Sequence, residues 1–420
     1  MGALVVVCLT FFLKLYAVQI VRGDEFALQA QRQYARPEQM LWNRGSIFFT
    51  VKEGESVSAA GLREGFTVAM VPKEVIDPAA AFDALAPFLT LSRERFLLQA
   101  HRRDDPYEEI VRHALPDVAS IIEKLKLPGV SLYRDRWRFY PGGKLAAHLL
   151  GFVGFQGDEL AGRYGLERYY DDTLRRSPGS LYDNFFAELF SGIRQAATGA
   201  VESEGDIVTS IEPTAQNFLE ETLFALAQKF GATQGGGIIM EPKSGAVVAL
   251  SAVPSFDPND FRAERGPAVF SNPLVESVFE MGSIMKPLTI AAGLDAGAIT
   301  ATSTYTDLGF LTIDGKTISN FDGKGRGRVS IQETLNQSLN TGAATVALRL
   351  GNARFRDYML RFGLGEETGI DLPGEAAGLT DNLKSGRDIE IATASYGQGI
   401  ALTPIQTVRA LAALGNGGKL

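Results

Sequence analysis

The stretch IVTSIEPTAQNFLEETLFALAQKFGATQGGGIIMEPKSGAVVALSA, residues 207–252, decides the fold class. IVTSI (207–211) alternates as a strand does. Pro213 then suits the first position of a helix, whose missing N–H costs nothing there. Phe218, Leu219, Leu223, Leu226 and Phe230 recur at helical spacing on one face, closed by Gly231. GGIIM and AVVALSA, joined by the turn EPKSG (241–245), form a β-hairpin pattern. Strand, helix and hairpin followed by several helices predict an α+β domain with an antiparallel sheet. The polar, small-residue run RQAATGAVESEGD (194–206) just upstream marks a domain boundary. No internal repeat is visible.

Downstream, VFEMGSIMKPLTIAAGLDAGAI (278–299) holds Ser283 and Lys286 in a Ser-x-x-Lys spacing. Residues three apart on a helix share a face, so the amine can reach the hydroxyl. Pro287 is tolerated only in a first helical turn, which puts Ser283 at or just before the helix start. Free amides and the helix dipole favour negative charge there, and a lysine kept neutral beside it makes a nucleophile–base pair. A chain of this length contains about one such spacing by chance, so the pair needs a companion. SLNTG (338–342) offers one. Ser330 and Glu333 read as a capping box opening a helix to Gln337, and Gly342 precedes another helix ending near Gly351. Ser338 and Asn340 would then share a short inter-helix loop, suited to proton relay and to gripping a peptide group, or simply to loop capping. GKGRG (323–327) lacks the Gly-x4-Gly-Lys-Ser/Thr pattern of a phosphate loop and reads as a basic turn; FGLGEETG (362–369) reads as turns. Thr403, Pro404 and Gln406 make a capping box for a last helix to about Leu414.

Composition narrows the chemistry. The 420 residues carry a net charge of −8, which argues against nucleic acid as a partner. The single cysteine, Cys8, excludes an intrachain disulfide and a thiolate metal cluster. Three histidines (His101, His113, His148) make a histidine metal site improbable, and His148 reads as structural. The chemistry then falls to bases other than histidine or cysteine.

The chain opens on an apolar run, GALVVVCLTFFL, continuing past Lys14 to Val21. That is about twenty residues, the length needed to cross a bilayer. With no preceding basic segment and no small-residue cleavage site, an uncleaved transmembrane anchor over 1–21 is expected rather than a signal peptide. DEFALQAQRQYARPEQ follows as a charged juxtamembrane helix ending at Pro37. Residues 80–100 and 107–126 carry helical periodicity, and RFYPGGKLAAHLLGFVG (138–154) is a Pro-Gly-Gly turn running into an apolar helix or strand.

Taken in order, Ser283-x-x-Lys286 and Ser338-x-Asn340 resemble the first two active-site motifs of penicillin-binding proteins and serine β-lactamases. The chain resembles class B penicillin-binding proteins over nearly its whole length. LKLYAVQIVRGDEF, Arg44-Gly45-Ser46-Ile47, RFYPGGKLAAHLLGFVG and YGLE (164–167) resemble that family's N-terminal module. GDIVTSIEPTAQ, MEPKSGAVVALSAVPSFDPN, FEMGSIMKP and ASYGQGIALTPIQ resemble its transpeptidase domain. Three departures stand out. FFTVKEGE replaces the usual Asp-Arg-Asn-Gly turn after Ile47, and Met281 stands where a proline is usual. The chain also stops at NGGKL (416–420), before the family's third motif, Lys-Ser/Thr-Gly, so it reads as a fragment incomplete at its C-terminus, with its own activity left open.

The resemblance implies an anchor (1–21), a mixed α/β pedestal of the dimerisation type (22–200) and an incomplete transpeptidase domain (205–420), an antiparallel sheet flanked by helices. It implies a single-pass protein of the bacterial cytoplasmic membrane with its bulk outside, cross-linking peptidoglycan stem peptides that end in D-Ala-D-Ala. Catalytic roles fall on Ser283, Lys286 and Ser338, and substrate binding on Asn340, with no metal or organic cofactor needed. β-Lactams would be covalent inhibitors, and a membrane glycosyltransferase and other elongation or division proteins would be partners. The rival readings are a carboxypeptidase or β-lactamase-like hydrolase, and a non-catalytic scaffold or β-lactam sensor.

Overall fold

The computed structural model describes residues 43–52, 55–157, 159–176 and 205–420. The expected anchor, the juxtamembrane helix and most of the 194–206 boundary lie outside them. Among the described residues no helix is long and apolar enough to cross a membrane. The described chain divides into two compact units, one built of 43–44, 61–139 and 175–176 and the other of 45–60, 140–174 and 205–420.

Strand β1 (Ile47–Thr50) pairs antiparallel with the first residues of β2 (Ser56–Met70), whose later residues belong to the smaller unit. There β2 is flanked by β3 (Glu108–Ala114) and β4 (Val130–Phe139), both antiparallel to it. Helices α1 (Pro78–Leu85), α2 (Arg93–Ala100) and α3 (Pro116–Leu125) bring Phe82, Leu85, Phe96 and Ile122 into one core with Val68 and Met70. Asp77 and Ser92 cap the first two helices by accepting first-turn amides. The helical periodicity of 80–100 is thus realised as two helices. That of 107–126 is half right: 108–114 is strand, because Ile110 and Val111 are β-branched and the segment pairs with β2, and the helix begins only at Pro116.

In the larger unit the Pro-Gly-Gly segment turns into α4 (Ala147–Leu150), followed by the hairpin β5 (Val153–Gln156) and β6 (Glu159–Gly162) and the short helices α5 (Gly165–Tyr169) and α6 (Asp171–Leu174). Of IVTSI only β7 (Ile207–Val208) is strand, parallel to β1. Helix α7 (Pro213–Phe230) starts and stops as read, with proline in the first turn and Gly231 left-handed at φ 62°. The hairpin β8 (Gly235–Met240) and β9 (Val247–Val253) is antiparallel, as expected.

The face of α7 read from the spacing is only partly inward, with Leu219 and Leu223 half-buried against Gly237. Phe218, Leu226 and Phe230 are 68%, 44% and 71% exposed, whereas Gln216 is fully buried. Gln216 turns its carboxamide onto β9, donating to Leu250 O at 2.9 Å and accepting Leu250 N at 2.9 Å. A side-chain amide thereby satisfies a buried backbone pair. Leu219 lies over Gly237, whose missing side chain lets the helix approach the sheet.

The rest of this unit is helical, with two small two-stranded sheets. Helix α8 (Pro273–Glu276) precedes α9 (Lys286–Asp295). Strands β10 (Thr304–Asp307) and β13 (Gly327–Ser330) pair antiparallel, as do β11 (Phe310–Ile313) and β12 (Lys316–Ser319). Helices α10 (Ile331–Asn336), α11 (Asn340–Leu350), α12 (Asn352–Arg361), α13 (Asp388–Ala394) and α14 (Pro404–Gly415) follow. Met285, Leu288 and Ala292 pack with Ala347, Leu350, Phe355 and Ile391 in a core that fixes α9 against its neighbours. Gly293 permits the closeness: a Cβ there would sit 2.6 Å from Val346 Cγ1. The capping box of α14 is present, Thr403 and Gln406 each bonding the other's backbone N–H.

Candidate active site

Ser283 stands in a single 3-10 turn, Gly282–Met285, that runs directly into α9. Pro287 occupies that helix's first turn, so the placement deduced from proline holds. The neighbours of Ser283 set its direction. Met285 is fully buried in the helical core while Ser283 is exposed, so the turn is rooted by its thioether and offers its hydroxyl outward.

The segment 395–402 clamps this turn from the other side. Phe279 and Leu402 exchange backbone hydrogen bonds at 2.9 Å each. Gly282 N donates to Gly397 O at 3.1 Å, and Gly399 N donates to the Glu280 carboxylate at 2.7 Å. Thr289 on α9 donates to Ser395 O at 2.7 Å. Gly397 is left-handed at φ 78°, and a Cβ on it would lie 2.3 Å from Gly282 O, so glycine is required twice over. The reading of ASYGQG as a family motif gave no such role; its glycine spacing was the available signal.

Lys286 is 1% exposed. Its Nζ lies 2.9 Å from Ser283 Oγ, 2.9 Å from Ser338 Oγ and 2.7 Å from Ser338 O. Burial pushes its pKa down from 10.5 to about 8. An ammonium there donates three hydrogen bonds to three oxygens; when neutral, the amine has a lone pair for one serine proton. At pH 7 about a tenth of the lysine is in that neutral form. Ser338 reaches Lys286 twice because its backbone is left-handed, φ 53°, a rare conformation for a non-glycine residue, found where surroundings over-determine it. Buried Leu339 and the bond from Leu339 N to Thr334 O anchor that loop.

Two local expectations are corrected. Asn340 is not in a loop with Ser338; it is the first residue of α11, and Gly342 lies inside that helix. Helix packing decides this: a Cβ on Gly342 would meet Thr334 Oγ1 and Tyr305 Oη. Ser330 does occupy the position before α10, but its side chain makes no capping bond, and Glu333 instead accepts from Asn336 and Gln337. Asn340 Nδ2 donates to Ser319 O at 2.9 Å. The GKGRG turn holds no phosphate-type nest: Arg326 grips Asp322, holding that carboxyl down to about 2, and its amide turns inward to Asp307. His148 is buried against Phe256, bonded to Val269 O at 3.0 Å and kept neutral by burial, a structural histidine as read.

An exposed serine and a buried lysine of lowered pKa one helical turn apart, with a second serine on the same amine, define the class of serine acyl-transfer sites served by a lysine base. Residues 235–420 match the penicillin-binding protein transpeptidase domain, and 44–184 match the penicillin-binding protein dimerisation domain. The chain belongs to the class B penicillin-binding proteins. It is 31% identical to stage V sporulation protein D of Bacillus subtilis, covering 99% of this chain and 64% of that one. It is 28% identical to the peptidoglycan D,D-transpeptidase FtsI of Escherichia coli, covering 96% of this chain and 67% of the relative. The crystal structure of penicillin-binding protein 2X from Streptococcus thermophilus shares the fold, with a TM-score of 0.68 at 20% identity over 90% of this chain and 59% of that one. The chain thus spans about two thirds of the length of these curated relatives.

Proposed function

We propose that the protein is a serine D,D-transpeptidase that cross-links peptidoglycan stem peptides. The observation that carries this reading is the Lys286 amine, within 2.9 Å of both Ser283 Oγ and Ser338 Oγ and held near pH 8 by burial. Neutral Lys286 takes the Ser283 proton as Oγ attacks the carbonyl of the penultimate D-alanine. The Ser283 backbone N–H supplies one donor to the resulting oxyanion. The bond to the terminal D-alanine nitrogen breaks, and that amine leaves with a proton relayed from Lys286 through Ser338. An amine of a neighbouring strand then attacks the ester and restores Ser283. Asn340, fixed by its bond to Ser319 O, has its carboxamide oxygen available for a substrate N–H. A β-lactam mimics the donor and acylates Ser283 without a leaving group that departs.

The reading extends to the whole organisation: an anchor over 1–21 in the bacterial cytoplasmic membrane, a pedestal over 22–200 and the transpeptidase domain over 205–420 on the extracytoplasmic side. A membrane glycosyltransferase and other elongation or division proteins are its expected partners. The test uses a donor pentapeptide and an amine acceptor with the full chain. Release of D-alanine coupled to a cross-linked product supports transpeptidation. Release without cross-link makes the protein a carboxypeptidase, and a stable acyl-enzyme with no turnover makes it a sensor.

A further inference from the structure

Helix α11 begins with Asn340 and is preceded by Leu339, which has no oxygen to cap it. The cap comes from 21 residues away: Asn320 Oδ1 accepts Thr341 N at 3.2 Å. Asn320, 4% exposed, turns its Nδ2 to both carboxylate oxygens of Asp307 at 3.0 Å. Asp307 is 1% exposed and also accepts from Thr341 Oγ1 at 2.8 Å, Gly309 N at 2.9 Å and Arg326 N at 3.1 Å. All of these donors are neutral. Gly309 and Gly325 make the arrangement possible, since a Cβ on Gly309 would lie 2.6 Å from Gly325 N. This is the use to which Gly325 of the GKGRG turn is put, since a Cβ on it would lie 2.8 Å from Asp307 O.

A buried carboxylate whose hydrogen-bond donors are all neutral is a costly element of a fold, and an apolar filling would be cheaper if volume were its only purpose. Its charge stands beside the positive end of α11, where it favours the helix start. Its hydrogen bond also fixes which way the Asn320 amide points, and so which atom meets Thr341 N. Thr341 adjoins Asn340 and lies three residues beyond Ser338. We propose that Asp307, acting through Asn320 and Thr341, is a positioning residue for acylation: it locks the first turn of α11 and thereby the left-handed Ser338 against Lys286. The proposal rests on the functional reading above and adds to it a residue that touches neither substrate nor nucleophile.

The experiment measures acylation of the full chain by a fluorescent penicillin, resolved into Kd and the acylation rate constant, from pH 6 to 10. Wild type, Asp307→Asn, Thr341→Val and Thr341→Ser are compared, with Ser283→Ala as control. Asp307→Asn puts an NH2 against donors and should slow acylation at least tenfold per folded molecule. It should also move the pH midpoint of the rate, because Ser338 supplies two of the three partners of Lys286. Thr341→Val should behave likewise, while Thr341→Ser keeps the hydroxyl and stays within threefold of wild type. A profile merely scaled by the folded fraction, with its midpoint unmoved, would make Asp307 structural only and overturn the proposal; so would equal rates for Thr341→Val and Thr341→Ser, a comparison that stands even if Asp307→Asn does not fold. Failure of wild type itself to label at Ser283 refutes instead the functional reading on which the proposal rests.

Discussion

Replacing Lys286 with methionine should make the protein more stable relative to wild type at pH 7 than at pH 10. The lysine pKa falls from 10.5 to about 8 on folding because the side chain is buried. Each unit is worth about 1.4 kcal/mol, so keeping the buried amine protonated costs about 3 kcal/mol against the unfolded chain. Below pH 8 both states hold the proton and the cost is fully present. Between pH 8 and 10.5 the folded state releases its proton while the unfolded state keeps it. The unfolded state then binds more protons, and stability rises with pH. Above 10.5 the gain levels off. From pH 7 to 10 the wild type should therefore gain about 2.5 kcal/mol from this group alone. Methionine does not ionise, and lost packing and hydrogen bonds enter equally at both pH values. Urea melts of the two proteins at pH 7 and pH 10 give the difference directly. A stability difference that stays constant between them, or that moves in methionine's favour as pH rises, would refute the claim that burial holds Lys286 near pH 8.

Other substitutions probe the same site. Ser338→Ala removes a hydroxyl 2.9 Å from Lys286 Nζ and should lower turnover with a D-Ala-D-Ala donor by about 10²-fold, with the melting temperature changed little; intact turnover would exclude Ser338 from the proton path. Gly397→Ala sets a Cβ 2.3 Å from Gly282 O at φ 78°, and should cost more than about 1 kcal/mol in a urea melt while slowing acylation; a neutral effect would show that the 395–402 clamp does not hold the nucleophile turn. Met281 has φ −72°, already in proline's range, so Met281→Pro should leave acylation unchanged and hold or raise stability by up to about 1 kcal/mol. Loss of acylation in that variant would mean the entry to the turn differs from the geometry described.

Much of the fold was legible because local signals and tertiary structure agree. Pro213 and Gly231 bracket α7, and Thr403 with Gln406 opens α14, since these caps depend on their own backbone alone. The Ser283–Lys286 contact was legible for the same reason: a proline fixes where a helix starts, and three residues fix the reach. What was not legible depends on distant partners. Gln216 is the buried residue of α7, and only tertiary structure reveals the Leu250 backbone it satisfies. The strand 108–114 read as helix because its pattern suits both periods, and pairing with β2 decides between them. Asn340 was assigned to a loop because its helix is capped by Asn320, a residue no short window includes. The Asp307 network was invisible for that reason too.

Acylation of Ser283 with Lys286 as its base can be read from the modified protein itself. The most direct measurement is peptide mapping by mass spectrometry after incubation of the full chain with benzylpenicillin. One penicilloyl adduct is expected, on the peptide carrying Ser283, absent in Ser283→Ala and nearly absent in Lys286→Ala at neutral pH. An adduct on any other residue, or one that persists at full yield in Lys286→Ala, would contradict it.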